Sequence, residues 1–164
     1  MMTCYPQLGI SLLFLLTLPL YGQAETLTGK VVKIADGDTL SILDAGQKVH
    51  KVRLVGIDAP EHDQPFGDKS SENLTKLVAG QQVEVLWTKR DRYHRILGKV
   101  IEDGRDINLA QIKAGMAWWY WQHASDQSWL DQIIYATTHA MAWLADTGLW
   151  AEPNPVPPWE WRKR

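Results

Sequence analysis

Five short runs rich in β-branched residues, each bounded by turn residues, constrain the fold of this chain more than any other feature. The first two runs flank Asp36-Gly37, a dipeptide that is the strongest short-range signal for a β-hairpin. A helical segment separates the third run from the fourth, as in the OB fold. We therefore predict an α+β, β-rich chain built on a five-stranded OB-fold Greek-key barrel. The predicted strands cover 27–34, 39–43, 48–57, 81–89 and 95–102.

About three helices are predicted to pack outside this barrel. Segment 70–80 places Leu74, Leu77 and Val78 on one face and ends at a glycine. Segment 108–115 begins with Asn108 as its predicted N-cap and also ends at a glycine. The longest segment, 125–148, is amphipathic, so its apolar stripe is expected to face the barrel. That stripe consists of Leu130, Ile133, Ile134, Met141 and Leu144.

The first 24 residues contain no charged side chain and include an apolar run of about 13 residues. Such a run is too short for an easy membrane span, and the small residues Gly22 and Ala24 follow it. We therefore predict a signal peptide over 1–24, cleaved after Ala24, and a periplasmic or secreted protein. Because no Lys or Arg precedes the run, an uncleaved membrane anchor is the alternative. The only cysteine, Cys4, lies in this segment, so the predicted mature chain has no disulfide.

The predicted mature chain divides into a domain over 25–150 and a tail over 151–164 that is rich in proline and tryptophan. The tail contains four prolines, so no regular structure is expected there. The formal net charge of the whole chain is −2. Proteins that depend on nonspecific binding to duplex nucleic acid are usually basic, so any nucleic-acid role must rest on local patches.

Acidic and basic side chains recur where the predicted strands end. Asp38 follows the first turn. Arg53 lies within the third predicted strand, Asp58 comes at its end, and Glu61 stands three residues after Asp58. Hard divalent cations prefer carboxylate and carbonyl oxygens, and a carboxylate beside a water molecule can act as a base. Guanidinium groups hold phosphate oxygens and stabilise the charge that develops during phosphoryl chemistry. Asp38 alone could equally cap the start of the strand. The three acids and the arginine taken together favour phosphodiester hydrolysis.

The segments "ADGDT", "VRLVGIDAPE" and "DRYHR" stand in the order and spacing of the thermonuclease, or staphylococcal-nuclease-like, family. The chain resembles that family over about residues 26 to 125, and "GLWAEPNPVPPWEWRKR" resembles the tails of its secreted bacterial members. The resemblance implies a Ca²⁺-dependent endonuclease that cleaves DNA and RNA, favours unpaired or breathing strands, and leaves 3′-phosphates. A monomer is expected, without stable membrane association unless the signal stays uncleaved.

The same resemblance implies the roles of individual residues. Asp38 and Asp58 would bind Ca²⁺ together with the backbone carbonyl of Ala59. The implied catalytic residues are a general base and two phosphate-binding arginines: Glu61, Arg53 and Arg95.

Aromatic and basic positions are implied to contact the nucleotide. Tyr93 matches such a tyrosine, and Arg92 matches a basic position at the rim of the site. Tyr120 is the candidate for stacking on a base, with Trp118 or Trp121 as alternatives. The histidines show no ligand spacing, so zinc is not expected. The alternative function is a catalytically inactive OB-fold module that binds single-stranded nucleic acid or a protein partner.

Overall fold

A computed structural model describes residues 25–164, in which short strands and four α-helices alternate. The strands are β1 (Glu25–Ile34), β2 (Thr39–Asp44), β3 (Val49–Leu54), β4 (Ile57–Asp58), β5 (Gln82–Arg90), β6 (Ile96–Glu102), β7 (Arg105–Asp106) and β8 (Trp118–Trp119). The helices are α1 (Gly67–Val78), α2 (Ile107–Lys113), α3 (Trp129–Leu144) and α4 (Pro158–Trp161). Two 3₁₀ segments lie at Trp121–Asp126 and Gly148–Ala151. The predicted signal peptide over 1–24 lies outside the described residues.

The main sheet closes into a barrel. Its strand order is β3-β2-β1-β5-β6-β7, and a parallel pairing of β3 with β6 joins the two ends. The other neighbours in this sheet are antiparallel. Alternate side chains point into the barrel and are fully buried, as the period of a strand requires; they include Leu40, Ile42, Val52, Val85 and Val100. The predicted five-stranded OB-type barrel is therefore confirmed.

The third strand ends earlier than predicted. Val55 and Gly56 form a turn, and Gly56 adopts a φ of 76°, which a residue with a Cβ rarely adopts. The chain then continues in β4, which leaves the barrel and pairs with β8. Asp58 consequently belongs to this second small sheet and is paired directly with Trp118.

The first two helices match their predicted positions, but one cap differs. In α1, Leu74 and Val78 are buried against the barrel, as the sequence indicates. In α2, the prediction that Asn108 is the N-cap is wrong, because Asp106 caps the helix by accepting a hydrogen bond from Leu109 N. Asn108 is buried instead, where its amide bonds the backbone of the neighbouring strand and turn.

The apolar stripe of α3 does not face the barrel, contrary to the prediction. Its members, Leu130, Ile133, Ile134, Met141 and Leu144, are between 36% and 74% exposed. Tyr135 and Ala142 are the buried residues of this helix, and the Tyr135 hydroxyl donates to the Asp106 carboxylate. A polar anchor therefore decides which face turns inward. Within residues 25–164, no helix is both long and apolar enough to cross a membrane.

The C-terminal tail contains regular structure, which the prediction had excluded. Helix α4 forms because Pro158 occupies its first turn, where the missing N–H of proline breaks no hydrogen bond. Pro158 is buried, so the tail packs back on the body of the protein.

Candidate active site

Two buried aspartates reach the same place from different elements. Asp38 is fixed by the turn before β2, where its N–H donates to Asp36 Oδ1 at 2.9 Å. Its own Oδ2 accepts from Ala59 N at 2.6 Å, immediately after β4. Asp58 comes from β4 itself. Asp38 is 5% exposed and Asp58 is 1% exposed. The hairpin turn and β4 therefore place these two carboxylates side by side.

Arg53 lies between these carboxylates. Its partner across the β2–β3 hairpin is Thr39, the residue after Asp38, so strand register brings the arginine to the site. Arg53 Nη2 lies 3.0 Å from Asp38 Oδ2 and 2.7 Å from Asp58 Oδ1. Nη1 donates to the carbonyls of Leu54 and Ile57 at 2.9 and 2.8 Å. These bonds hold the guanidinium rigidly beside both acids.

Burial makes the charged form of Asp38 unfavourable. It raises the pKa of this carboxyl from 3.8 to about 8, although the Arg53 guanidinium opposes the shift. The neighbouring carboxylates of Asp36 and Asp58 raise the pKa further. The carboxylates of Asp36 and Asp58 thus lie near Asp38, and an added positive charge would stabilise the ionised form of Asp38.

The metal-free protein should lose stability as pH rises from about 4 to about 8 because of Asp38. Over this range folded Asp38 keeps a proton that the unfolded chain has released, so raising the pH favours unfolding. Denaturant unfolding across this range should therefore show the stability of Asp38→Asn rising relative to the wild type. A difference between the two proteins that does not change with pH would contradict the raised pKa.

The donor atoms at this position suit a hard cation. Oxygens of Asp38 and Asp58 both contact one nitrogen, Arg53 Nη2, so they lie close enough to approach a single ion. Among residues 25–164, no group of three or more His, Cys, Asp or Glu side chains forms a site by itself. Two carboxylates with backbone carbonyls and water are nevertheless a usual oxygen set for Ca²⁺. The residues present therefore fit Ca²⁺.

Glu61 follows at the edge of the same site. Its backbone N–H donates to Gln64 Oε1 at 3.1 Å, which fixes the turn after Pro60. Its side chain is 39% exposed, so its carboxylate is accessible to water, unlike the two buried aspartates. Glu61 Oε1 accepts from Arg162 Nη1 at 2.6 Å. A solvent-accessible carboxylate next to buried ones can take a proton from water.

The turn between β5 and β6 supplies the other two predicted basic side chains, Arg92 and Arg95. Asp91 Oδ1 accepts from the backbone N–H of Tyr93 and Arg95, and Asp91 Oδ2 accepts from Arg95 Nε at 2.7 Å. Burial favours a higher pKa for Asp91, but the bonds from Arg95 and the backbone outweigh it and lower the pKa. Arg92 and Arg95 lie over the Tyr93 ring at 4.9 and 5.5 Å. Asp91 thus orients Arg95, a role that the sequence interpretation missed.

Tyr120 is stacked by a residue from the C-terminal tail. The rings of Tyr120 and Trp159 are 5.3 Å apart and nearly parallel, at 8°. Trp159 also contacts Trp118 edge-on, at 5.7 Å. Trp121, one of the alternatives for base stacking, is 58% exposed. One face of Tyr120 is therefore occupied by the protein itself.

All the predicted site residues line one cavity of about 690 Å³. They are Asp38, Arg53, Asp58, Ala59, Glu61, Arg92, Tyr93, Arg95 and Tyr120. Arg53 forms ion pairs with both aspartates, whereas Arg95 lies in the same cavity with its Nε held by Asp91. Arg162, from the tail, also lines the cavity and was not predicted. The only signal for it was a pair of tail tryptophans followed by basic residues.

Comparison with known proteins agrees with this geometry. A family described as "Staphylococcal nuclease homologue" matches residues 51–152, which contain Arg53, Asp58, Glu61 and Arg95. Asp38 precedes the matched residues.

Curated relatives extend the match over most of the chain. An "Uncharacterized endonuclease" of Haemophilus influenzae is 42% identical over 154 residues, covering 94% of this chain and 83% of that protein. An "Uncharacterized endonuclease" of Escherichia coli is 42% identical over 137 residues, covering 83% of this chain and 85% of that protein. "Micrococcal nuclease" of Shigella flexneri is 36% identical over 144 residues, covering 82% and 80%. The predicted enzyme class, a nuclease, is thereby confirmed, and the chain belongs to the staphylococcal nuclease homologue family.

Proposed function

We propose that this nuclease is a secreted, Ca²⁺-dependent endonuclease that hydrolyses phosphodiester bonds of DNA and RNA. We further propose that it favours unpaired strands, leaves 3′-phosphates and acts as a monomer. The observation that carries the proposal is the placement of Asp38, Asp58 and Arg53 in direct contact, with Glu61 at the same cavity. Secretion rests on the uncharged, apolar segment 1–24. Recovery from the periplasm or the culture medium of a protein that begins at Glu25 would support secretion.

The proposed metal ligands are Asp38, Asp58 and the backbone carbonyl of Ala59. Bound there, Ca²⁺ would neutralise phosphate charge and polarise a phosphoryl oxygen. The buried position of the two aspartates keeps water from competing for their oxygens. Arg53 contacts both aspartates through Nη2 and two backbone carbonyls through Nη1, and it would contact a phosphate oxygen from this position.

The remaining residues would act on the substrate from the other parts of the cavity. Glu61 would accept a proton from the attacking water, since its carboxylate is accessible and hydrogen-bonded through only one oxygen within residues 25–164. Arg95 would hold a second phosphate oxygen, because it lines the cavity and Asp91 fixes its Nε, while its terminal nitrogens make no hydrogen bond within residues 25–164. Tyr93 and Arg92 would contact the nucleotide at the rim, and Tyr120 would form a wall for a base.

Cleavage should require Ca²⁺ and should stop when the metal is removed, because two buried carboxylates cannot face a phosphate without a cation. Matched single-stranded DNA and RNA would be digested with Ca²⁺ and with excess EGTA, and the product ends identified. Cleavage at internal positions, leaving 3′-phosphates, is expected only with Ca²⁺. Equal digestion in both conditions would contradict the metal role. A stable complex with intact substrate in Ca²⁺ would favour a binding module instead.

A further inference from the structure

The C-terminal arm, defined here as residues 153–164, is anchored to the active-site loop. Val156 O accepts from Gln64 Nε2 at 2.6 Å, and Trp161 Nε1 donates to Asp63 Oδ1 at 3.2 Å. Trp159 is seated against the rings of Trp118 and Tyr120. Two hydrogen bonds and this aromatic packing thus fix the arm as far as Trp161, the residue immediately before Arg162.

That residue, Arg162, bridges two acids of the site. Its Nη2 lies 2.7 Å from Asp58 Oδ2, and its Nη1 lies 2.6 Å from Glu61 Oε1. A longer contact of 3.3 Å joins Nη1 to Asp58 Oδ1. The guanidinium fork therefore spans a proposed metal ligand and the proposed base, and it lines the same cavity.

The bridge contacts Asp58 and Glu61 but not Asp38. Arg162 makes its short contact with Oδ2 of Asp58 and its 3.3 Å contact with Oδ1, the oxygen that shares Arg53 Nη2 with Asp38. Within residues 25–164, Arg162 forms no ion pair with Asp38, and Glu61 Oε2 accepts no hydrogen bond. Arg162 therefore lies beside the aspartate pair, and it leaves one oxygen of Glu61 available to water.

We infer that Arg162 is a positioning residue of this active site, delivered by the C-terminal arm to hold Glu61 at a fixed place relative to Asp58. The inference rests on the proposed function, because it assigns Arg162 a part in that reaction. Neighbouring carboxylates repel each other, and Glu61 is exposed enough to change its side-chain conformation. A planar guanidinium that donates to both carboxylates offsets the repulsion and restricts that movement.

The test compares Arg162→Ala, Arg162→Lys and the control Lys163→Ala in the full mature chain. Lys163 is the neighbouring cation, and it pairs with Glu160 on the arm itself. With single-stranded DNA and saturating Ca²⁺, Arg162→Ala should lower kcat about 10- to 100-fold, with KM close to that of the wild type. Arg162→Lys should recover part of this loss, since one ammonium keeps the charge but cannot bridge both acids. Lys163→Ala should match the wild type.

A second measurement separates positioning from metal binding. Tb³⁺ affinity, read from luminescence sensitised by tryptophan, should be no weaker in Arg162→Ala, because a positive charge near Asp58 has been removed. If Tb³⁺ affinity fell by the same factor as kcat, Arg162 would act on the metal site, and the inference would be wrong.

The kinetic outcomes also distinguish this inference from the proposed function. If Arg162→Ala has the same kcat as Lys163→Ala, the inference about Arg162 is wrong and the proposed function stands. If Arg162→Ala has a kcat above the wild-type value, the arm inhibits the enzyme and the inference is also wrong. A wild-type protein that binds Tb³⁺ but cleaves no nucleic acid in Ca²⁺ would overturn the proposed function, and the role of Arg162 with it.

Discussion

Replacing Glu61 by glutamine should lower kcat about 10²- to 10⁴-fold while leaving the fold intact. Glutamine has nearly the same size and can still accept from Arg162 Nη1 through its amide oxygen. It cannot accept a proton from water, so the variant removes the general base and little else. The measurement is single-turnover cleavage of labelled single-stranded DNA in saturating Ca²⁺, which separates the chemical step from product release.

The matched control for this variant is Glu72→Gln, the same chemical change at an exposed position of α1. Tb³⁺ affinity of both variants should stay near the wild-type value, because Glu61 is not among the proposed metal ligands. A rate for Glu61→Gln close to that of Glu72→Gln would show that another group takes the proton. Strong loss of Tb³⁺ binding in Glu61→Gln would instead make Glu61 a metal ligand.

Local sequence patterns explain why Asp38 and Arg53 lie close together. The connection 35–38, which contains Asp36-Gly37, joins β1 to β2 and places Asp38 directly before β2. The turn 45–47 then sets the register that pairs Thr39 with Arg53. Register is fixed wherever one face of a hairpin is buried, so these contacts follow from short segments. The position of Asp58 also needed the resemblance to a known family, because β4 leaves the barrel and pairs with β8.

Features that depend on long-range contacts could not be predicted from such patterns. Arg162 and Asp58 are 104 residues apart in sequence, and no periodicity relates them. The inward face of α3 is set by the bond between Tyr135 and Asp106, whereas counting aliphatic residues selects the opposite face. Asn108 resembles a helix cap in sequence, yet its amide satisfies buried backbone groups of β6 and the turn after β3. In each case a polar side chain bonds a partner on another element of the folded chain.

Removing the Arg53 side chain should affect stability and catalysis together. Arg53→Ala leaves the buried carboxylates of Asp38 and Asp58 facing each other without their shared cation. Asp58 keeps its contact with Arg162 and Asp38 can hold a proton, so the free energy of unfolding in metal-free buffer should fall by about 1–3 kcal/mol, the cost of a buried polar group left without its partner. The rate should fall about 10²- to 10³-fold, as for loss of one donor that stabilises transition-state charge. Denaturant unfolding and single-turnover cleavage measure these two effects.

The control for Arg53→Ala is Arg105→Ala, which removes an exposed arginine of β7 and should change stability little. The stabilities of Arg53→Ala and the wild type would be compared with and without Ca²⁺. A cation bound by Asp38 and Asp58 would replace the positive charge that Arg53 provides. The stability difference between Arg53→Ala and the wild type should therefore shrink when Ca²⁺ is added. If Ca²⁺ stabilises neither the wild type nor the variant, the two aspartates do not bind the ion. Arg53→Lys, which keeps one charge at the site, allows the same comparison if Arg53→Ala fails to fold.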